Sequence, residues 1–180
     1  MALIRTVSPD QAEGSMKEAY DMFMEYLGVI PKPLQLMSAS PAIFDLQLQR
    51  IRYYNDHPTL GFPLLAHIRY LVSRDLDYPF CTDFNEYILK RQGLTDEDVE
   101  KLSKDPSDSL LEEKDAAMLT FVVKAVKDPS SVSAGEILRL KDMGWEDRDL
   151  MDALAHGANM IDHSIMMAVF QMNQECITPP

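Results

Sequence analysis

Cys81 is the residue from which covalent chemistry could start. In the stretch LDYPFCTDFNEYILKRQGLTDEDV, residues 76–99, it falls near the third position of a helix opened by Pro79. There the helix macrodipole favours a thiolate. Asp75, Asp77 and Asp83 oppose that help, and no basic neighbour close in sequence offsets them. Taking Phe80, Phe84, Tyr87 and Ile88 as the face turned to the core, Cys81 lies at its edge beside Asn85 and Ile88. The residue reads first as a small buried hydrophobe and second as a reactive thiol. His67 poses a similar choice. It flanks the apolar face of Leu64, Ile68 and Leu71, so it is either a half-buried histidine with one hydrogen-bond partner or a general base whose ordinary pKa suits proton transfer near neutrality. His57, in the loop NDHPTLG, reads as solvated.

A second group of polar residues lies near the C-terminus. At helical spacing Asp152, His156, Asn159 and His163 share a stripe about 60° wide, flanked by Ala155, Met160, Met166 and Met167 rather than by charges. A helix so apolar all round should be buried in the domain or at a subunit contact, and its polar groups must find partners there. A single metal shared by the whole set is excluded, because the helical rise spreads Asp152 and His163 over roughly 16 Å. Only Asp152 with His156 could chelate together. A structural polar network or interface is the first reading, a substrate pocket the second, and a metal site the last; no metal and no cofactor is expected.

The elements that must position these groups are helical throughout. Proline sits at first-turn positions, glycine or Asp-Pro follows last turns, and strand alternation is absent. Ser8 with Gln11 offers a capping box for a helix to Leu27, stopped by Gly28, although Gly14 could split it. Ser40-Pro41 opens a helix to about Asn55. Pro63 opens one that stops before Asp77, and Pro79 opens the cysteine helix, which ends at Gly93. Thr95 with Asp98 caps a short helix, and a longer one closes at Asp128-Pro129. Ser133 with Glu136 caps another, to Met143-Gly144, and the last runs from about Glu146 to Met172. The expectation is an all-α fold of about eight helices in one domain, residues 1–180, with no repeat and no internal boundary.

Composition bounds the partners. The chain has 180 residues, 46% of them hydrophobic, which is enough for a real core. A net charge of −12, with no basic cluster to interrupt it, disfavours nucleic acid. The opening MALIRTVSPD has no apolar signal region, and the longest apolar run, around AMLTFVVKAV, is broken by Lys124. No membrane span is expected, and the reading is cytoplasmic. Cys81 and Cys176 stand far apart and do not suggest a disulfide framework. Whether Cys176 of a neighbouring chain approaches Cys81 is a question the sequence leaves open.

Taken in order, four blocks carry a resemblance: VSPDQAEGSMKEAYD, GVIPKPLQLMSASP, LLAHIRYLVS running into YPFCTDFNEYILKRQGLTDEDVEKL, and KDPSSVSAGEILRLKDMGWEDRDLMDALA. Together they make the chain similar to the AhpD-like family, which joins alkylhydroperoxidases and carboxymuconolactone decarboxylases. The resemblance implies an AhpD-like helical domain, a dimer, trimer or hexamer of identical chains, and peroxidase-related, antioxidant oxidoreductase chemistry. In the peroxidase branch the helix start carries C-x-x-C followed four residues later by His, with a Glu on the preceding helix. Carried over, the first cysteine falls on Tyr78, the second on Cys81, the histidine on Asn85, and the glutamate on Ala66 beside His67. A dithiol cycle needs a resolving thiol, and Tyr78 removes it. What remains is at best a one-cysteine cycle, with an external thiol as reductant and His67 as proton acceptor. The alternatives are a cofactor-free, decarboxylase-like reaction, in which His67, His156 or His163 moves a proton beside a carboxylate-bearing small molecule, and a non-catalytic structural or binding member of the family.

Overall fold

The structure is a computed structural model that describes residues 3–172; Cys176 lies outside the described residues. It contains nine α-helices among the described residues, α1 (Gly14–Leu27), α2 (Lys32–Met37), α3 (Pro41–Asn55), α4 (Phe62–Asp75), α5 (Pro79–Arg91), α6 (Asp96–Lys104), α7 (Glu113–Lys127), α8 (Ala134–Asp142) and α9 (Asp147–Val169), and no strand. The all-α expectation holds, with one helix more than the sequence suggests. The extra element is α2, a six-residue turn of helix after Pro31, whose Leu34, Leu36 and Met37 are buried. Its two prolines read in the sequence as a connector, but Pro33 sits in the first turn, where a missing N–H costs nothing. No described helix is long and apolar enough to cross a membrane.

Contacts gather the chain into two compact units, the first with residues up to His57 and from Ile165 onward, the second Pro58–Ser164. In the first unit Tyr20 and Phe44 meet edge to face at 5.9 Å, and Ala19, Ile30, Leu34, Met37 and Leu48 close around them. The Tyr20 hydroxyl donates to the Val7 carbonyl (3.1 Å), and Ser38 accepts from the Val7 amide (2.7 Å), so the N-terminal segment is tied down by buried polar contacts. The expected capping box at Ser8 is absent. Gly14, at φ +56°, breaks the chain there, leaving a short 3-10 turn before α1 begins.

The second unit carries all the described residues nominated for chemistry. Its centre is α4, where Leu64, Leu65, Ala66, Ile68, Leu71 and Val72 are all buried, packed against α5 and α7. α9 meets the same core through Gly157. A Cβ there would stand 2.6 Å from Val122 Cγ1, 3.3 Å from Val126 and 3.4 Å from Ile68, so the missing side chain is what lets the helices approach. The two capping boxes expected at Thr95/Asp98 and Ser133/Glu136 are present. α9 is not buried all round within one chain, so of its two expected settings the domain interior covers only one face. Ala153, Gly157, Met160 and Met167 face inward, while Met151 and Ile165 are 67% and 58% exposed. It also ends at Val169 rather than Met172, with Gln171 in the left-handed region at φ +56°.

Candidate functional site

The site is assembled by two helices whose facing stripes are readable from their spacing. On α4, Phe62, Ala66, Arg69 and Ser73 recur at i, i+4, i+7 and i+11, an arc of about 60°. On α5, Tyr78, Cys81 and Asn85 recur at i, i+3 and i+7, with Tyr78 as the N-cap residue. Ala66, Tyr78, Cys81 and Asn85 are each at least 95% buried. The core face of α5 is therefore Phe80, Cys81, Asn85, Ile88 and Leu89, and not the Phe84 and Tyr87 face that the hydrophobic pattern favours.

Arg69 explains how a buried asparagine is accommodated. Its Nε donates to Asn85 Oδ1 at 3.0 Å, while Asn85 Nδ2 donates to the Cys81 carbonyl at 2.8 Å. Both ends of the amide are thereby satisfied. Arg69 Nη1 lies 3.2 Å from His156 Nε2 on α9. A guanidinium has no acceptor, so it must donate, and the imidazole receives it through an unprotonated Nε2. The ring of Phe62, 53% exposed, covers the guanidinium at 5.6 Å. Arg69 as a whole is half-buried, but its guanidinium is enclosed enough that burial draws its pKa down to about 10, still far above neutrality. It remains a cation. No carboxylate pairs with it among the described residues.

Cys81 is a free thiol, 3% exposed. Burial pushes its pKa up to about 12, against the smaller opposing pulls of the Tyr78 hydroxyl and the Arg69 charge. The balance expected between the helix dipole and the three nearby aspartates is therefore not the one that decides. Those aspartates are solvent-exposed and screened, and a basic residue from another helix is the nearer charge. The Tyr78 hydroxyl stands close enough to influence the thiol, but it is buried and makes no hydrogen bond of normal geometry. Burial raises its own pKa, so it stays a phenol.

His67 belongs to a different face. It lies two residues before Arg69 on α4, about 200° around the helix, so the two side chains leave in nearly opposite directions. It is 2% exposed rather than half-buried, and its Nδ1–H donates to the Pro63 carbonyl at 2.7 Å. Its Nε2 is buried with no partner, and burial lowers its pKa, so the ring is held neutral. On α9, Asn159 and His163 pair with each other at 3.0 Å, and Asn159 Oδ1 is left buried without a partner. His163 lies about 10 Å along the helix from His156. Asp152 is half-buried. Among the described residues no three His, Cys, Asp or Glu side chains converge as a metal site would require. A cavity of about 280 Å³ in the first unit, between Met16 and Phe44, contains none of these side chains.

The structure thus joins Tyr78, Cys81, Asn85 and His156 around Arg69, and it turns His67 to another face of α4. Arg69 is the member that the sequence did not nominate. The available signal was a single arginine in the run LLAHIRYLVS, which holds no other Asp, Glu, Lys or Arg, one turn beyond Ala66 on the same face.

No family model and no curated protein matches the chain. Solved structures similar to it include two peroxidase-related proteins. One is a peroxidase-related protein from Silicibacter sp. TM1040, described as uncharacterized, with TM-score 0.77 and 14% identity over 94% of this chain and 90% of that one. The other, from Ralstonia eutropha JMP134, is described as an alkylhydroperoxidase AhpD core and an uncharacterized peroxidase-related protein, with TM-score 0.79 and 15% identity over 95% of this chain and 90% of that one. The fold is AhpD-like. At these identities the likeness speaks for the fold, and the chemistry has to be argued from this chain's own residues.

Proposed function

We propose that this AhpD-like protein has left dithiol peroxide reduction and acts on a small molecule by cofactor-free proton transfer at the Arg69–Asn85–His156 cluster. The observation that carries the reading is the Arg69–His156 contact, a permanent cation held against the unprotonated Nε2 of an imidazole. Such a pair supplies a charge to orient a substrate and a lone pair to receive a proton once the guanidinium turns to the substrate. Tyr78 and Asn85 complete the lining, with Cys81 as a neutral thiol. The chain is taken as one AhpD-like domain that works in the cytoplasm as an oligomer of identical subunits.

Turnover of carboxylate-bearing lactones by the natural protein and by His156→Gln tests this. Turnover lost in the variant, with no added metal or cofactor, is the expected result. Equal activity in His156→Gln would remove the proposed base. A one-cysteine peroxide reaction is the second reading, favoured by the Arg69 charge beside Cys81, which pulls toward the thiolate. Its weakness is that burial outweighs that pull. In it, the Cys81 sulfur would take one oxygen from the peroxide, releasing water or an alcohol, and an external thiol would reduce the resulting sulfenic acid.

A further inference from the structure

We propose that Arg69, together with the Tyr78 hydroxyl, is the anchor for the anionic group of a small organic ligand, of the carboxylate class. The inference rests on reading the Arg69 cluster as a small-molecule site, and it adds which residues grip the ligand and by what charge.

Arg69 is under-used by the protein. A guanidinium carries five N–H donors. Two are spent, on Asn85 and His156, which leaves three with no acceptor among the described residues. Enclosing a cation without a counter-charge is costly, and proteins normally pair such a group with a carboxylate. Here no Asp or Glu pairs with it among the described residues, and the ionisable group that acts on it is Cys81. Cys81 could neutralise Arg69 only as a thiolate, and its burial keeps it protonated. The cation is left uncompensated.

The second observation is independent of the first. Tyr78, 4% exposed, carries a buried hydroxyl that makes no hydrogen bond of normal geometry. A buried O–H without an acceptor costs about 1 to 3 kcal/mol, so a fold that keeps one at this position is spending stability on a donor. The Tyr78 hydroxyl and the Arg69 charge both act on the Cys81 sulfur, so the two donor groups lie in its neighbourhood. Two donor groups of this kind, one planar and charged and one neutral, match a single negative charge on a carboxylate, which a guanidinium holds through two parallel bonds. The half-buried Arg69 and the exposed ring of Phe62 over it make this the edge of the site nearest to solvent. Phe62 and Ala66 offer an apolar wall on the same stripe of α4, which favours a carboxylate with an apolar body over a bare inorganic ion.

Calorimetric titration of the natural chain with sodium benzoate, with acetate, chloride and inorganic phosphate as comparators at constant ionic strength, tests this. Saturable benzoate binding is expected, weakened at least tenfold by Arg69→Met and severalfold by Tyr78→Phe. Tyr78→Phe removes a hydroxyl that makes no hydrogen bond of normal geometry, so without ligand it is expected to melt no lower than the natural chain. No saturable carboxylate binding would overturn the proposal, as would undiminished binding in either variant. Chloride or phosphate binding as tightly as benzoate would overturn the carboxylate assignment. If Arg69→Met fails to fold, Tyr78→Phe decides alone. Benzoate binding without lactone turnover would count against proton transfer and leave the anchor standing; lactone turnover that survives Arg69→Met would do the reverse.

Discussion

The reactivity of Cys81 can be worked out from its surroundings and then measured. With the thiol held near pKa 12 by burial, the thiolate fraction at pH 7.5 is about 3 × 10⁻⁵, against about one in ten for a free cysteine of pKa ~8.5. That is a deficit of about 3,000-fold. A more basic thiolate is a better nucleophile, and a Brønsted slope of about 0.4 to 0.5 over the ~3.5-unit difference returns roughly 25- to 55-fold. The loss of thiolate wins, and exchange with a small aliphatic disulfide should run about a hundredfold slower than for a free thiol before any steric hindrance is counted. The measurement is mixed-disulfide formation at Cys81 between pH 7 and 10, followed by mass spectrometry in a Cys176→Ser background so that one thiol reports. The rate should climb tenfold per pH unit without levelling near pH 8.5. In Arg69→Met, which removes the charge that opposes burial, it should fall further. A plateau near pH 8.5 at the rate of a free thiol would refute the argument that burial governs this cysteine.

Further outcomes are expected. His67 has a lowered pKa in the folded state, so the unfolded chain binds its proton first; stability is fully present above pH ~6.5 and falls as pH drops below it, by up to about 1.4 kcal/mol per pH unit. Denaturant midpoints between pH 7.5 and 5 measure this, and a His67→Gln chain that keeps the same slope would assign it elsewhere. Gly157→Ala gains about 1 kcal/mol of helix propensity but forces a Cβ to 2.6 Å from the stiff Val122, so a net loss of about 1 to 2 kcal/mol in urea unfolding is expected. An unchanged or raised midpoint would mean that α7 and α9 can part there at little cost. Self-association is expected, because Met151 and Ile165 leave apolar surface uncovered on α9. Sedimentation at micromolar concentration giving the 20.5 kDa of one chain would contradict it. Restoring Tyr78→Cys with Asn85→His is expected to gain dithiol-dependent peroxide reduction over the natural chain, and no gain would show that Arg69 at this face is incompatible with the cycle.

Much of the fold was legible because helix ends are written locally. Pro79, Gly93, Thr95 with Asp98 and Ser133 with Glu136 each act within one turn, and each marks the boundary it should. The i, i+3, i+7 spacing of Tyr78, Cys81 and Asn85 was legible for the same reason. What the sequence hid was long-range. Asn85 looks like a surface residue until a donor 16 positions away is known to reach it, so the apolar pattern misplaced the core face of α5. Arg69 and His156 are separated by 87 positions, and nothing local in either helix announces the other. α9 reads as apolar almost all round because methionine and alanine are indifferent to exposure, and only packing decides which of them face inward within one chain.

The central claim is that the chemistry of this site belongs to Arg69 and its neighbours and not to the redox of Cys81. Peroxide consumption in the presence of a dithiol reductant, compared between the natural protein and Cys81→Ser, tests it most directly. The account predicts that both proteins consume peroxide at the same slow rate, close to that of the reductant alone. Rapid consumption by the natural protein that disappears in Cys81→Ser would contradict it, and would make the buried thiol the working group.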